Sequence, residues 1–356
     1  MSWLVVMMVF GVGCESFDSV EVRRRRQAIE TGHQVTVDLS RSSPLLGDRN
    51  RTLQRIEQAL EPFPKRYTAR MKRINVVENY LDRWGLTGLA LGAYTEGHRP
   101  ERYGEIFIKN KSVLEDVLGV LSNDVGVHLV HEGWHSVEYT EVETLQGFIL
   151  RKARNKPVNL FEMLSTVDVV LANVSPAEVD ELAAAGGSAE YVRLIRGWMF
   201  SHFGDVNGDG RVDDEDAAWV DAHRDRFDAD GDGRLTYADV ARKTDYEYLW
   251  CYDPFDPKLQ LTMAVTAPLG LSSKGFVSTL ARNFPWEDRA ETVRLLAEHR
   301  LVPYLYRSCP DGRKVTEAWE EFRRIRRRDA VRGRKLELMT RYVAACEEPH
   351  RLNRTW

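Results

Sequence analysis

His131-Glu132-Gly133-Trp134-His135 reads H-E-x-x-H inside an apolar segment, residues 125–137, that contains no proline. On a helix the two histidines stand one turn apart on one face, so both imidazoles can reach a single metal ion. Gly126 and Gly133 each cost such a helix only modestly. Glu132, next to the first histidine, is placed to take a proton from a metal-bound water. Zinc suits these donors, because it binds imidazole and carboxylate tetrahedrally and can leave one position open for water. The stretch therefore predicts a zinc hydrolase, first of all a peptidase. Nine histidines in 356 residues would produce this spacing by accident in roughly two per cent of chains. Solvated surface histidines are the plain alternative, but the neighbours Val127, Leu129, Val130, Trp134 and Val137 argue for a buried helix. His128, three residues earlier, reads as a packing or supporting histidine rather than a ligand.

Two histidines leave the site short of a ligand. A metzincin would carry Gly at 138 to turn the chain and His at 141, where this chain has Glu138 and Glu141. Without that glycine the helix is expected to continue and carry Glu141 away from the metal. The better source is a distant segment, Gly275-Phe276-Val277-Ser278, continuing to Phe284-Pro285-Trp286-Glu287-Asp288-Arg289-Ala290-Glu291. Pro285 and Trp286 suit a helix start, and acidic residues in the first turn suit its positive end. Glu287 and Glu291 then share a face, one able to bind zinc while the other orients a ligand from behind.

The order H-E-x-x-H, then G-F-V-S-x-x-A-x-x-x-x-x-E-D-x-A-E, resembles the gluzincin peptidases related to the catalytic domain of anthrax lethal factor. It is equally similar to a bacterial group of zinc-binding metallopeptidases with the same layout. Upstream, Leu60-Glu61-Pro62-Phe63-Pro64-Lys65, Ile74-Asn75-Val76-Val77, Gly88-Leu89-Ala90 and Tyr103-Gly104-Glu105-Ile106-Phe107-Ile108 follow that group's order of helix, strand, turn and edge strand. The likeness spans about residues 52 to 300, apart from an insertion. It implies His131, His135 and Glu287 as zinc ligands, Glu132 as general base and Glu291 as a supporting residue. One departure stands out: the group commonly has Tyr seven residues before the third ligand, to stabilise the oxyanion, and here that position is Leu280. Loss of one such donor costs about two to three orders of magnitude in rate. Another residue supplies the donor, or the enzyme is slow, or its activity has lapsed.

Between the two zinc motifs lie two acidic, glycine-rich loops in register. Residues 205–216 offer oxygen ligands from Asp205, Asn207, Asp209, Asp213 and Asp216, with the backbone carbonyl of Arg211 at the seventh position. Residues 228–239 repeat the pattern with Asp228, Asp230, Asp232, Arg234, Thr236 and Asp239. Val212 and Leu235 hold the eighth position, where paired loops make a short apolar contact. Many hard oxygens in flexible geometry favour Ca2+, one ion per loop. The close spacing and the Asp at position twelve resemble dockerin-type calcium repeats, which implies structural calcium. Because the pair is internal, it reads as a calcium-stapled insertion, with a cohesin-like partner the less favoured option.

The amino terminus carries an apolar run, residues 3–12, too short to span a bilayer and followed by Gly13-Cys14. It resembles a bacterial lipoprotein signal with lipid attached at Cys14, although Gly11 replaces the usual aliphatic residue and no Lys or Arg precedes the run. An ordinary secretion signal or a misassigned start are the alternatives. Export is expected, to the cell envelope if lipidated and outside the cell otherwise. Cys251, Cys309 and Cys346 lack paired metal-ligand spacing; a Cys251–Cys309 disulfide is one of three possible bridges.

Composition is that of a folded protein, 43% hydrophobic and 29% charged, with a formal net charge of −4 that gives no global field for nucleic acid. There is no phosphate loop or dinucleotide fingerprint. The polar segment 14–51, with Arg23-Arg24-Arg25-Arg26 and serines near 40–43, reads as a tether. Its arginines read as a solvated face, with contact to anionic lipid the lesser option. Residues 160–184 read as helical, and the basic stretch 323–335 as another solvated face.

The expected fold is α+β: a zincin-like domain with a small sheet packed on the active-site helix, and an inserted EF-hand-type helical module. The expected boundaries are a leader at 1–13, a tether at 14–51, the peptidase domain at 52–200 and 243–356, and the insertion at 201–242. Strand 104–109, as an edge strand, is expected to hold an extended peptide or protein substrate by backbone pairing. A surface binding protein that keeps the metals without catalysis is the rival, and Leu280 is the feature that favours it.

Overall fold

The computed structural model describes residues 19–41, 49–61, 63, 68, 70–77, 92–94, 104–109, 125–155, 160–248, 274–278, 280–298, 323–325 and 327–352. The leader 1–13, Cys14, Cys251, Cys309 and the turn at 88–90 lie outside these residues. The fold is mixed α and β, mostly helical, and its chain divides into two compact units.

The first unit takes in residues 1–60 and 68–129. Its described elements are α1 (Val20–His33), β1 (Thr36–Arg41), α2 (Arg49–Leu60), β2 (Arg73–Val77), β3 (Gly92–Tyr94) and β4 (Glu105–Lys109). The four strands form one sheet in the order β1-β2-β4-β3, with β1, β2 and β4 parallel and β3 antiparallel. β1 alternates, burying Val37 and Leu39 and exposing Thr36 and Ser40, whereas β2 is buried continuously from Ile74 to Val77. That difference is the one expected between an edge strand and an interior parallel strand. Helices α1 and α2 contribute Val22, Ile29, Leu53 and Ile56 to the buried set.

Two expectations are corrected in this unit. The segment read as a tether forms α1 and β1 between residues 20 and 41, and β1 pairs with β2 from Thr36↔Arg73 onward. Its polar composition is that of a helix with an exposed arginine face, where Arg25 reaches Glu57 at 3.1 Å, and of a half-solvated strand. Strand 104–109 is not an edge: β4 pairs with β2 on one side and β3 on the other, so its backbone groups are already taken. The turn into it needs Gly104, which has φ +78° and whose absent Cβ would lie 2.2 Å from the Arg70 carbonyl oxygen.

The second unit holds residues 61–67 and 130–356. It contains α3 (Val125–Lys152) from Val130 onward, α4 (Leu160–Ala172), α5 (Pro176–Ala184), α6 (Ala189–Ser201), α7 (Asp214–Ala222), α8 (Arg224–Phe227), α9 (Tyr237–Lys243), α10 (Pro285–Glu298) and α11 (Ala330–Leu352). α6 is the hub: Tyr191, Val192, Leu194, Ile195, Trp198, Met199 and Phe200 are all buried, and α4, α5, α7 and α11 pack around them. Gly197 lets α11 approach closely, since a Cβ there would sit 2.8 Å from Leu338 Cδ2.

The segment 201–242 is built into this core. Val220, Leu235, Tyr237 and Val240 belong to one cluster with Ala172, Met199, Phe200, Tyr248, Phe276 and Ala281. At the eighth loop position Leu235 donates its N–H to Asn173 Oδ1 at 2.9 Å and its carbonyl accepts from Asn173 Nδ2 at 2.8 Å, so the residue after α4 also holds this loop. The basic stretch 323–335 is a solvated face only in its first part. Arg323, Arg324, Arg327 and Arg328 are exposed, whereas Arg334 and Lys335 are buried and ion-paired. None of the described helices is long and apolar enough to cross a membrane.

Candidate metal centre

α3 runs unbroken through the H-E-x-x-H stretch to Lys152, as a segment without proline or a turn-forming glycine at 138 permits. α10 starts at Pro285, whose fixed φ and missing N–H suit a first helical position, with Glu287 and Asp288 in its first turn. These two helices bring the histidines and the distant carboxylate together. His131 Nε2 lies 3.3 Å from Glu287 Oε2, and His135 Nε2 lies 3.5 Å from Glu287 Oε1. The imidazole planes are nearly perpendicular, with centroids 5.0 Å apart. Donor atoms bound tetrahedrally at about 2.05 Å to one ion stand roughly 3.3 Å from each other. The donor set is therefore one that could hold a divalent metal ion, and His131, His135 and Glu287 form such a group.

Glu291, one turn beyond Glu287, places Oε1 2.9 Å from His131 Nδ1. It is itself held by Arg294, whose Nε and Nη2 donate at 2.8 and 3.0 Å. A carboxylate on Nδ1 fixes the tautomer that leaves Nε2 directed at the shared point. Glu132 is 6% exposed and follows His131 in the chain. His128 is half-buried, and Glu141, though buried, is not one of the grouped donors.

The charges are set as a cation site needs them. Burial works against a charged His131, but Glu287, Glu291 and Glu132 outweigh it and lift its pKa well above the usual histidine range. Burial, with the His131 and Arg289 charges, pushes His135 down to about 4 despite Glu287. Burial alone would raise Glu287, yet the two histidines hold its carboxyl below the ordinary value. Glu291 is likewise held down, against burial, by His131 and Arg294. Burial thus favours a neutral imidazole at His135, the histidines favour ionised carboxyls at Glu287 and Glu291, and a metal ion here would take the place of the proton that the carboxylates favour on His131.

Buried charges missed by the sequence reading surround this site. Arg289 (2% exposed) donates through Nε to Glu138 and lies 3.1 Å from Asp168 Oδ1 through Nη2. Burial lifts Glu138 to about 7, and raises Asp168 in the same direction, in spite of Arg289. On the other side, Asp288 Oδ2 accepts from Lys335 Nζ at 2.6 Å, Tyr248 Oη at 2.7 Å and Trp198 Nε1 at 3.1 Å. Lys335 also donates to the Gly275 carbonyl at 2.8 Å and stands 4.3 Å from the Phe276 ring centroid. One signal was available for Glu138: it lies seven residues after His131 on the same face of an apolar helix, where a lone solvated carboxylate is out of place.

The two acidic loops close on themselves in matching fashion. Asp205 accepts from the N–H groups of Gly208, Asp209 and Gly210, and Asp228 from those of Gly231, Asp232 and Gly233. Asn207 and Asp230 accept from the N–H groups of Asp209 and Asp232 in turn. Asp216 and Asp239, both buried, accept from the second residue of their loops, at 2.9 and 2.8 Å. They also accept from Asp213 and Thr236, each of which caps the following helix. Asp228, Asp230 and Asp232 converge closely enough to share an ion, a grouping that does not include Asp239. Leu280, in the 3-10 turn Leu280–Arg282 before α10, is 43% exposed, so the side chain standing at the expected phenol position faces solvent.

No family model, curated protein or solved structure matches this chain.

Proposed function

We propose that the protein is an exported zinc-dependent metalloendopeptidase of gluzincin type, in a zincin-like fold stapled by two EF-hand calcium loops. The observation that carries this reading is the meeting of His131, His135 and Glu287 at 3.3–3.5 Å across helices α3 and α10. His131 Nε2, His135 Nε2 and the Glu287 carboxylate would hold the metal, and Glu291 would keep His131 in its ligating tautomer. Bound there, zinc supplies Lewis-acid polarisation of a peptide carbonyl and acidifies the attacking water. Glu132 accepts that water's proton on its carboxylate and returns it to the departing amine nitrogen. The apolar run before Cys14 supports export and attachment through a lipid. Matching hydrogen bonds in loops 205–216 and 228–239 support one structural Ca2+ in each, with a cohesin-like partner the lesser option.

A second reading is favoured by Leu280: a surface binding protein that retains both metals and no longer turns over. The test is zinc content together with cleavage of an unbiased peptide library, for the wild type and Glu132→Gln. Zinc in both forms with cleavage only by the wild type supports the peptidase. Zinc in both with neither cleaving supports the binding protein. Absence of zinc from both overturns the two readings together.

A further inference from the structure

We propose that Arg289 and Glu138 form a positioning clamp that sets the spacing of the metal ligands. This rests on the metal-centre reading above. His131, His135 and Glu138 follow one another at intervals of four and three residues, which puts them on one stripe of α3. Arg289 follows Glu287 by two residues in the first turns of α10. The Arg289–Glu138 pair thus joins the two helices that carry the ligands, one turn from His135 and half a turn from Glu287. The Arg289 and Glu138 side chains are 2% and 3% exposed, so bulk water has little access to the bond.

The guanidinium is planar and cannot yield at one nitrogen without moving the others. Two of its nitrogens face Asp168 on α4, at 3.1 and 3.4 Å, which answers the guanidinium's charge from a helix that carries no ligand. Nε is left to meet Glu138. The arrangement transmits a fixed offset from α10 to α3, whereas a pair serving only to neutralise buried charge would be complete with Asp168 alone. Of the two carboxylates, only Glu138 lies on a ligand-bearing helix, and that asymmetry makes the clamp separable from general stability.

The experiment measures zinc affinity of the full chain by competition with a chromophoric chelator, beside thermal midpoints of the metal-free forms. Wild type, Glu138→Gln, Glu138→Asp and Asp168→Asn are compared. Glu138→Gln and Asp168→Asn each remove one buried charge from the same guanidinium. Glu138→Asp keeps the charge and withdraws it by one methylene. The clamp predicts that both Glu138 variants bind zinc about 10- to 100-fold more weakly, while Asp168→Asn loses midpoint but retains wild-type affinity. Should Glu138→Gln not fold, Glu138→Asp carries the comparison alone. Equal affinity losses in Glu138→Asp and Asp168→Asn, or unchanged affinity in both Glu138 variants, overturn the clamp. Failure of the wild type to bind zinc overturns the metal centre itself.

Discussion

Lys335→Met removes the cation from a pair in which both partners are fully buried, Lys335 and Asp288 at 0% exposure and 2.6 Å apart. Burial lowers the Lys335 pKa and raises that of Asp288, the directions in which each charge resents losing water. Taking one member of a buried pair leaves the other uncompensated, at about 3–5 kcal/mol. Two donors, Tyr248 Oη and Trp198 Nε1, stay on Asp288 Oδ2 and temper the loss, while the Gly275 carbonyl is orphaned and adds to it. We expect about 4 kcal/mol, a large share of the roughly 5–15 kcal/mol that holds a domain together. The double variant Lys335→Met/Asp288→Asn carries no charge to strand, so it should be about 2 kcal/mol more stable than Lys335→Met, and Asp288→Asn alone completes the cycle. Urea unfolding of the metal-free protein, followed by tryptophan emission, gives both figures. A loss below about 1 kcal/mol in the single variant, or additive losses in the double, would refute the argument that this pair is strained by burial.

Glu287→Ala is expected to take zinc content from one equivalent to none by elemental analysis while calcium content stays unchanged, because the loops lie elsewhere in the unit. Asp228→Ala removes the residue that accepts three N–H groups of its loop, and should abolish one calcium site. At calcium a hundredfold above Kd, each occupied site adds about 2.7 kcal/mol, so the calcium-induced rise in thermal midpoint should shrink by about half. Gly275→Ala combines φ +77° with a Cβ 2.2 Å from Tyr246 Cε1, and should cost about 2–4 kcal/mol in the same urea assay. His202 is buried, and burial together with the Lys335 charge holds its pKa well below the ordinary 6.5. The unfolded chain therefore binds a proton below pH 6.5 that the folded chain refuses. Stability is full above that pH and falls as pH drops, by up to about 1.4 kcal/mol per unit. His202→Gln should flatten this dependence between pH 7.5 and 5.5, and an unchanged slope would remove His202 as its source.

What was legible in the sequence is what local rules govern. Apolar context and helical spacing placed His131 and His135 on one face, and Pro285 marked the start of α10 where it occurs. Glycines at the sixth loop positions, Gly210 and Gly233, take the positive φ their pattern requires. What escaped was set by partners far off in the chain. β1 sits in a polar stretch and becomes a strand through β2, about forty positions on. β4 looked like an edge because strand order is a property of the assembled sheet, not of its own residues. Arg289 meets Glu138 from 151 positions away and Lys335 meets Asp288 from 47, so no local pattern paired them, and Lys335, read with its basic neighbours, suggested solvent.

The apolar cluster shared by residues of loop 228–239 and the flanking helices has a practical corollary for protein engineering. Leu235 and Tyr237 touch the same buried set as Phe276 and Ala281, and Asn173 grips the Leu235 backbone from just after α4. There is thus no seam along which the acidic repeats could be excised or swapped for another scaffold's. Cutting them out would expose the underside of Trp198's helix, and a minimal zinc-binding fragment of this chain has to keep them.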